Sequence, residues 1–103
     1  MIQTRVTAGL MAITAAVVLI GCATSPPVQE MSDARQAIAA AEDADAASLA
    51  PTPLEEARRY LSEAEEQIRT RAFGLARTNA IRARNSAVDA LQASQAAVET
   101  NGN

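Results

Sequence analysis

The 103-residue chain contains no histidine, lysine or tryptophan, and it has one cysteine, one tyrosine and one phenylalanine. Without histidine and with a single thiol, it cannot build a Cys/His zinc site, a Ser-His-Asp triad or a thiolate–imidazole pair. Aromatic residues make up 2% of the chain, too few to stack nucleic-acid bases between the arginines. We therefore expect no catalytic residues, no metal site, no cofactor and no nucleic-acid partner.

Residues 1–21 have the composition of a secretory signal peptide. Arg5 supplies the positive charge, residues 6–20 form the apolar segment, and Gly21 is the small residue at the cut. Fifteen apolar residues rise about 22 Å as a helix, which is short of the ~30 Å hydrocarbon core of a bilayer. A permanent transmembrane anchor is thus the weaker interpretation.

The cut site Leu19-Ile20-Gly21-Cys22 resembles the lipobox of bacterial lipoproteins. This resemblance implies diacylglyceryl transfer to the Cys22 thiol, cleavage between Gly21 and Cys22, and acylation of the new amino terminus. Several acyl chains anchor a protein stably, since each buried methylene contributes about 0.8 kcal/mol. Ala23 stands where, in the lipoproteins that the motif resembles, an aspartate favours inner-membrane retention. The resemblance therefore implies lipid anchoring in the outer membrane. Ala23 leaves the face of that membrane open, and we expect the periplasmic one. The alternative is that Cys22 is an unrelated small hydrophobic residue behind a signal peptide.

The other 82 residues predict an all-α domain with thin interfaces. Twenty-one of them are alanine, the best helix former, twelve are Leu, Ile, Val or Phe, and no proline follows Pro53. Since alanine buries little area, we expect closely approached helices that are marginally stable alone. Ten acidic residues and three arginines precede Ile68, whereas five arginines and two acidic residues follow it. The acidic half can form ion pairs with the arginine-rich half, or each run of charged residues is only the solvated face of a helix.

Breaks in the hydrophobic pattern divide these residues into a linker, three helices and a tail. Residues 22–27 form the lipidated cysteine and a proline-stiffened linker, the helical domain covers 28–98, and 99–103 form a flexible tail. Helices are predicted over 28–47, 53–70 and 72–98. The first carries the apolar stripe Met31, Ala34, Ile38 and Ala41, and it ends before Pro51, which disfavours helix in the preceding residue.

The second predicted helix begins with a capping box, in which Thr52 is the N-cap, Pro53 the first helical residue and Glu55 the third. Two stripes of small and apolar residues at helical spacing then make up the helix-packing seam, and each is expected to face another helix. The seam consists of Leu54, Ala57, Leu61, Ala64 and Ile68 in the second helix, and Ala76, Ala80, Ala83, Ala87, Ala90, Ser94 and Ala97 in the third. About 90° around the third helix lies a second apolar surface of Phe73, Ile81, Val88, Leu91 and Val98, interrupted by Arg77 and Arg84.

The register of the stripes fails between Thr70 and Leu75, a segment that contains Gly74. The failure fits a tight turn near Arg71 or a stutter in one long helix, and we favour the turn. A turn makes the second and third helices antiparallel, with the first helix returning along the alanine stripe. The contacts expected from this pairing are Leu61 with Ile81, Leu54 with Val88, and an ion pair of Glu65 with Arg77. The predicted fold is a small helical hairpin or three-helix bundle.

Residues 53–64 (PLEEARRYLSEA) and 72–77 (AFGLAR) resemble segments of small alanine-rich envelope lipoproteins that carry the domain of unknown function 4398. The resemblance covers most of residues 31–98. The same pattern also resembles one tetratricopeptide-type hairpin. Braun-type lipoprotein is similar in being a lipid-anchored helix, but its relatives bond to peptidoglycan through a C-terminal lysine. This chain has no lysine and ends at Asn103, so we expect no covalent peptidoglycan link.

Three classes of function remain. The first is a structural or scaffolding envelope lipoprotein that self-associates through its alanine-rich helices. The second is a periplasmic binding module or adaptor whose small-residue groove receives a helix of another envelope protein. A small enzyme is the least favoured, because histidine and lysine are absent and the neighbouring carboxylates of Glu65 and Glu66 point about 100° apart on a helix. A membrane-active peptide also ranks low, since arginines interrupt the apolar arc.

Overall fold

A computed structural model of the chain describes residues 25–102, of which 87% are helical and none lies in a strand. The helices are α1 (Val28–Asp43), α2 (Ala46–Leu49), α3 (Pro51–Arg69) and α4 (Phe73–Asn101). The predicted all-α fold is confirmed. No helix in this part of the chain is long and apolar enough to cross a membrane. The signal peptide, the cleavage site and Cys22 lie outside the described residues.

Helix α4 is the central helix, because both α1 and α3 pack mainly against it and less against each other. Ala64 of α3 clusters with Ala80 of α4 next to the connecting turn, whereas Leu54 clusters with Ala90 farther away. The partners therefore move apart along the chain, which makes α3 and α4 antiparallel. The turn between them is the alternative that the sequence favoured over one long helix.

Helix α1 lies along the alanine face of α4 and runs parallel to it. Met31 shares a cluster with Ala80, and Ile38 shares one with Ala87. The stripe predicted on the first helix is buried as a set, namely Met31, Ala34, Ile38 and Ala41. In the resulting three-helix arrangement, α1 covers one flank of α4 and α3 covers the other.

The first helix ends earlier than predicted, at Asp43 instead of residue 47. Asp45 has the left-handed backbone angles φ 60° and ψ 35°, and its N–H donates to the Glu42 carbonyl at 3.0 Å. Aspartate adopts this conformation more readily than most residues, so it can end a helix where no glycine is present. The short helix α2 follows, and its Ala46 is buried in the cluster that contains Leu54.

Helix α3 begins at Pro51, with Ala50 as its N-cap and no side-chain cap. The predicted capping box is therefore wrong, because Thr52 lies inside the first turn. Proline is well suited to that turn, since its φ is already helical and it has no N–H to leave unpaired. Ala50, with φ −147° and ψ 59°, lies outside the α-helical region, which is disfavoured for a residue before proline.

The α3–α4 turn is a Schellman motif with an arginine at the left-handed position. Arg71 has φ 63°, its N–H donates to the Ile68 carbonyl at 3.0 Å, and the Ala72 N–H donates to the Gln67 carbonyl at 2.7 Å. Glycine usually occupies this position. Gly74 instead lies inside α4, so the expectation that it serves the turn is wrong. At its other end α4 continues to Asn101, three residues beyond the predicted 98.

Candidate functional site

The helix-packing seam is the interior of the bundle. Its members Leu54, Ala57, Ala64, Ala76, Ala80, Ala83, Ala87, Ala90 and Ser94 have no exposed surface. Leu61, Ile68 and Ala97 are half-buried at its margins. Because α1 and α3 of the same chain already cover this face of α4, neither a second copy nor a foreign helix can reach it in the closed bundle. The seam therefore does not supply the docking groove that the sequence suggested.

The buried polar groups along the seam are all satisfied. Asn79 Nδ2 donates to Gln67 Oε1 at 2.9 Å, which joins α4 to α3 close to their turn. Ser94 Oγ donates to the Ala90 carbonyl at 2.8 Å within α4. No buried side-chain nitrogen or oxygen within residues 25–102 lacks a partner. The Asn79–Gln67 contact is absent from the sequence prediction, since neither residue belongs to an apolar stripe.

Arg77 pairs with Glu30 and not with Glu65. Its Nε donates to Glu30 Oε1 at 3.1 Å, and the two side chains are 35% and 30% exposed. The predicted Glu65–Arg77 pair is wrong because Arg77 lies on the flank of α4 that α1 covers, whereas Glu65 is exposed on α3. A backbone hydrogen bond and the Arg77 guanidinium hold the pKa of the Glu30 carboxyl below its ordinary value, although partial burial opposes the shift.

The remaining charged contacts lie on the surface. Arg58 pairs with Glu55 at 2.6 Å in its own helix and with Glu42 of α1 at 3.6 Å. Tyr60 is half-buried, with the guanidinium of Arg59 4.8 Å and that of Arg82 5.9 Å from its ring centre. The contacts of Arg58 with Glu42 and of Arg82 with Tyr60 join neighbouring helices at their rims. Exposed pairs of this kind stabilise a fold by about 1 kcal/mol or less.

The structure assembles no catalytic constellation in the part of the chain that it describes. Among residues 25–102, no three cysteine, histidine or acidic side chains are grouped so that they could hold a metal ion. Glu66 forms an ion pair with Arg69, while its neighbour Glu65 is exposed elsewhere on the helix surface.

Apolar side chains are left exposed on the outside of α4 and at the start of α1. The exposed fractions are 73% for Val28, 61% for Leu75, 58% for Val98, 39% for Ile81 and 36% for Val88. Leu54 packs in the cluster of Ala87 and Ala90, and the contacts of Ile81 with Leu61 and of Val88 with Leu54 stay predictions. Helices approach closely along alanine, which turns the larger side chains outward.

An open cavity of ≈ 510 Å³ lies at the end of the bundle opposite the α3–α4 turn. It is lined by Ala44, Ser94, Gln95, Val98 and Glu99. The cavity exists because α4 continues past the last residue of α1, so its final turns have no helix beside them on that flank. Its lining is mostly apolar, and Val98 is its most exposed hydrophobic side chain.

Comparison with known proteins identifies one family. The model of the family described as Domain of unknown function (DUF4398) matches residues 29–101. The match runs from the second residue of α1 to the last residue of α4, so it covers the whole helical body. No curated protein and no solved structure matches the chain.

Proposed function

We propose a function from the premise that the chain belongs to the family of the domain of unknown function DUF4398. The proposed function is a non-catalytic structural role as a lipid-anchored lipoprotein of the outer membrane that faces the periplasm. The observation that carries the proposal is the segment Leu19-Ile20-Gly21-Cys22, which has the order of a lipobox at the end of an apolar run. The helical body begins only a few residues later, at the buried Pro27. The membrane attachment in this proposal is through acyl chains on Cys22.

A closed helical body supports a structural role. Its interior is filled by small residues, its buried polar atoms are paired, and the described residues contain no metal-ligand cluster. Such a body can hold a surface at a fixed distance from the membrane without performing chemistry. Since the seam is filled, association between copies would use the outer face of α4, where Ile81 and Val88 lie one heptad apart and are partly exposed.

The alternative function is that of a binding module or adaptor for another envelope protein. The cavity beside Val98 favours it, because this open, mostly apolar space lies at the end of the bundle opposite the start of α1. A partner's apolar side chain or helix end would contact Val98 and Ala44 there. The two functions differ in what α4 contacts, namely a second copy along its outer face or a different protein at its end.

Acylation is tested by expressing the full chain in a bacterium and feeding it labelled palmitate. We expect the label on the parent chain and on Thr24→Ala, a control that leaves the lipobox-like segment intact. Cys22→Ala should be unlabelled and retain residues 1–21, as determined by the mass of the purified protein. A Cys22→Ala protein that is cut after Gly21 as efficiently as the parent would contradict the lipoprotein proposal.

Association is tested by analytical ultracentrifugation of the acylated protein in detergent, with the detergent density-matched. An oligomer that dissociates in Ile81→Asp/Val88→Asp, but not in Val98→Asp, supports the structural role. A monomeric parent protein contradicts self-association and leaves the adaptor function. The matched variants lie on the same helix and replace side chains that are at least partly exposed. Circular dichroism checks that each variant keeps the parent helicity.

A further inference from the structure

We propose that one end of the bundle is a membrane-contacting surface that sits in the headgroup region of a phospholipid bilayer. We define this surface, the membrane-facing end, as Val28 at the start of α1, Arg71 in the α3–α4 turn, and Phe73 and Leu75 at the start of α4. The inference rests on the proposed acylation of Cys22. It adds which part of the folded body touches lipid.

The length of the tether fixes which end lies at the membrane. Cys22 precedes Ser25 by three residues, so their Cα atoms are at most ~11 Å apart whatever the conformation between them. The bundle begins almost at once, since Pro27 is buried and its carbonyl accepts a hydrogen bond from the Met31 N–H at 3.0 Å. An acylated Cys22 therefore holds the start of α1 close to the bilayer surface.

The start of α1 shares its end of the bundle with the α3–α4 turn. The 3.1 Å contact between Arg77 Nε and Glu30 Oε1 sets the first turn of α1 beside the first turns of α4. The turn at Arg71 immediately precedes α4. Leu75 and Val98 are separated by 23 residues along α4, which corresponds to ~34 Å of helix. The two ends of the bundle are thus at very different distances from the anchor.

The chemistry of the membrane-facing end suits the boundary between water and lipid. Val28 and Leu75, its two aliphatic side chains, are 73% and 61% exposed. The Arg71 guanidinium lies 5.4 Å from the centre of the Phe73 ring. An arginine beside an aromatic ring can direct its charge to phosphate while the ring and the aliphatic groups face the upper acyl region.

The charges near this end leave Arg71 available for lipid phosphate. Arg77 is paired with Glu30, and Arg69 is paired with Glu66. No ion pair among the residues that the structure describes includes Arg71. A single unpaired arginine and two aliphatic side chains are too few to hold a protein on a membrane by themselves. The surface is therefore expected to contact lipid only when the acyl chains hold it there.

The test uses the acylated full-length protein in vesicles of phosphatidylethanolamine and phosphatidylglycerol. Acylation blocks the native thiol, so Leu75→Cys and Val98→Cys each offer one site for the environment-sensitive fluorophore NBD. The two positions form a matched pair, since both are exposed aliphatic residues of α4 at opposite ends. Val28→Cys is a second reporter for the membrane-facing end. Circular dichroism checks that each variant keeps the parent helicity.

We expect NBD at positions 75 and 28 to shift its emission to shorter wavelength on reconstitution and to be quenched by spin-labelled lipid. NBD at position 98 should keep the emission it has in water. If Cys22 is acylated and all three positions report water, the proposed lipid contact of the membrane-facing end is wrong, while the lipoprotein proposal stands. If mass spectrometry finds no lipid on Cys22, the lipoprotein proposal fails and this inference fails with it.

Discussion

Glu30 in the first turn of α1 accepts a hydrogen bond from Arg77 Nε of α4 at 3.1 Å, across 47 positions of the sequence. The contact joins the first helix to the last at the end of the bundle where the chain enters it. Arg77 would otherwise interrupt the apolar side of α4 without a partner. The pair therefore allows an arginine to sit between two packed helices.

A double-mutant cycle should detect this pair. We expect Glu30→Ala and Arg77→Ala to show favourable coupling in the free energy of unfolding, because removing either partner leaves the other charge half-buried and unpaired. The matched cycle of Glu65→Ala with Arg77→Ala should show none, since Glu65 is exposed on α3. Urea unfolding followed by circular dichroism measures both cycles. Coupling of Arg77 to Glu65 alone would contradict the structure.

The Glu30 carboxyl should also make the stability depend on pH, because a backbone hydrogen bond and, to a smaller extent, Arg77 favour its charged form. The pKa of the Glu30 carboxyl is lower in the folded protein than its ordinary value of 4.5. The stabilisation is therefore present above the ordinary pKa and lost as the pH falls through the folded pKa. We expect the difference in thermal midpoint between the parent and Glu30→Gln to shrink on acidification below 4.5. Glu99→Gln, at an exposed position near the end of α4, is the control; an unchanged Glu30→Gln difference would refute the prediction.

Replacing Arg71 with glycine should stabilise the turn. Arg71 has φ 63°, and the left-handed conformation costs a residue with a Cβ about 1 kcal/mol relative to glycine. We expect Arg71→Gly to raise the free energy of unfolding by about that amount, whereas Arg71→Ala keeps the strain and should give no gain. Urea titration of the two variants checks this. Equal stabilities for both would show that the turn is not left-handed at this residue.

Gly74 should tolerate a side chain and gain stability from it. A Cβ at this position meets no atom within 4 Å, and the residue lies in α4. Alanine is favoured over glycine in a helix by about 0.5–1 kcal/mol. Thermal unfolding of Gly74→Ala should show a raised midpoint. A lowered midpoint would mean that the residue is needed as glycine, as the sequence first suggested for a turn.

The seam should reject larger side chains. Ala83 is fully buried between the helices, whereas Ala93 is exposed on the same helix. Overpacking of a well-filled core costs about 1–3 kcal/mol. We expect Ala83→Leu to lower the free energy of unfolding by an amount in this range and Ala93→Leu to leave it nearly unchanged. Similar losses in the two variants would indicate that burial of α4 is different from that described.

Periodicity in the sequence predicts most of this fold because small and apolar residues recur at helical spacing. The stripe beginning at Met31 and the alanine stripe of α4 coincide with the buried faces. The turn near Arg71 is also where the stripes lose register. These features depend on local spacing, which one sequence contains in full.

Contacts between helices are harder to predict, because a stripe of alanines does not determine on which flank each neighbouring helix packs. The sequence paired Arg77 with Glu65 by counting from the turn, but α1 takes the flank on which Arg77 lies. The sequence predicts a helix start at Pro53 because Thr52 matches a capping pattern. The helix begins at Pro51 instead, since a proline can occupy the first helical position without a side-chain cap before it. The early end of α1 depends on the left-handed backbone of Asp45. An aspartate can adopt this conformation but does not have to, so the residue type alone does not predict the helix end.

The alanine stripe leaves the helix register weakly specified. If α4 slid by seven residues, Ala76 would take the place of Ala83 and the same small surface would face α1 and α3. Two polar contacts would not survive such a slide, namely Arg77 with Glu30 and Asn79 with Gln67. Both contacts lie near the turn. They specify one register for three helices whose packed faces are nearly uniform, much as a buried asparagine specifies register in a coiled coil.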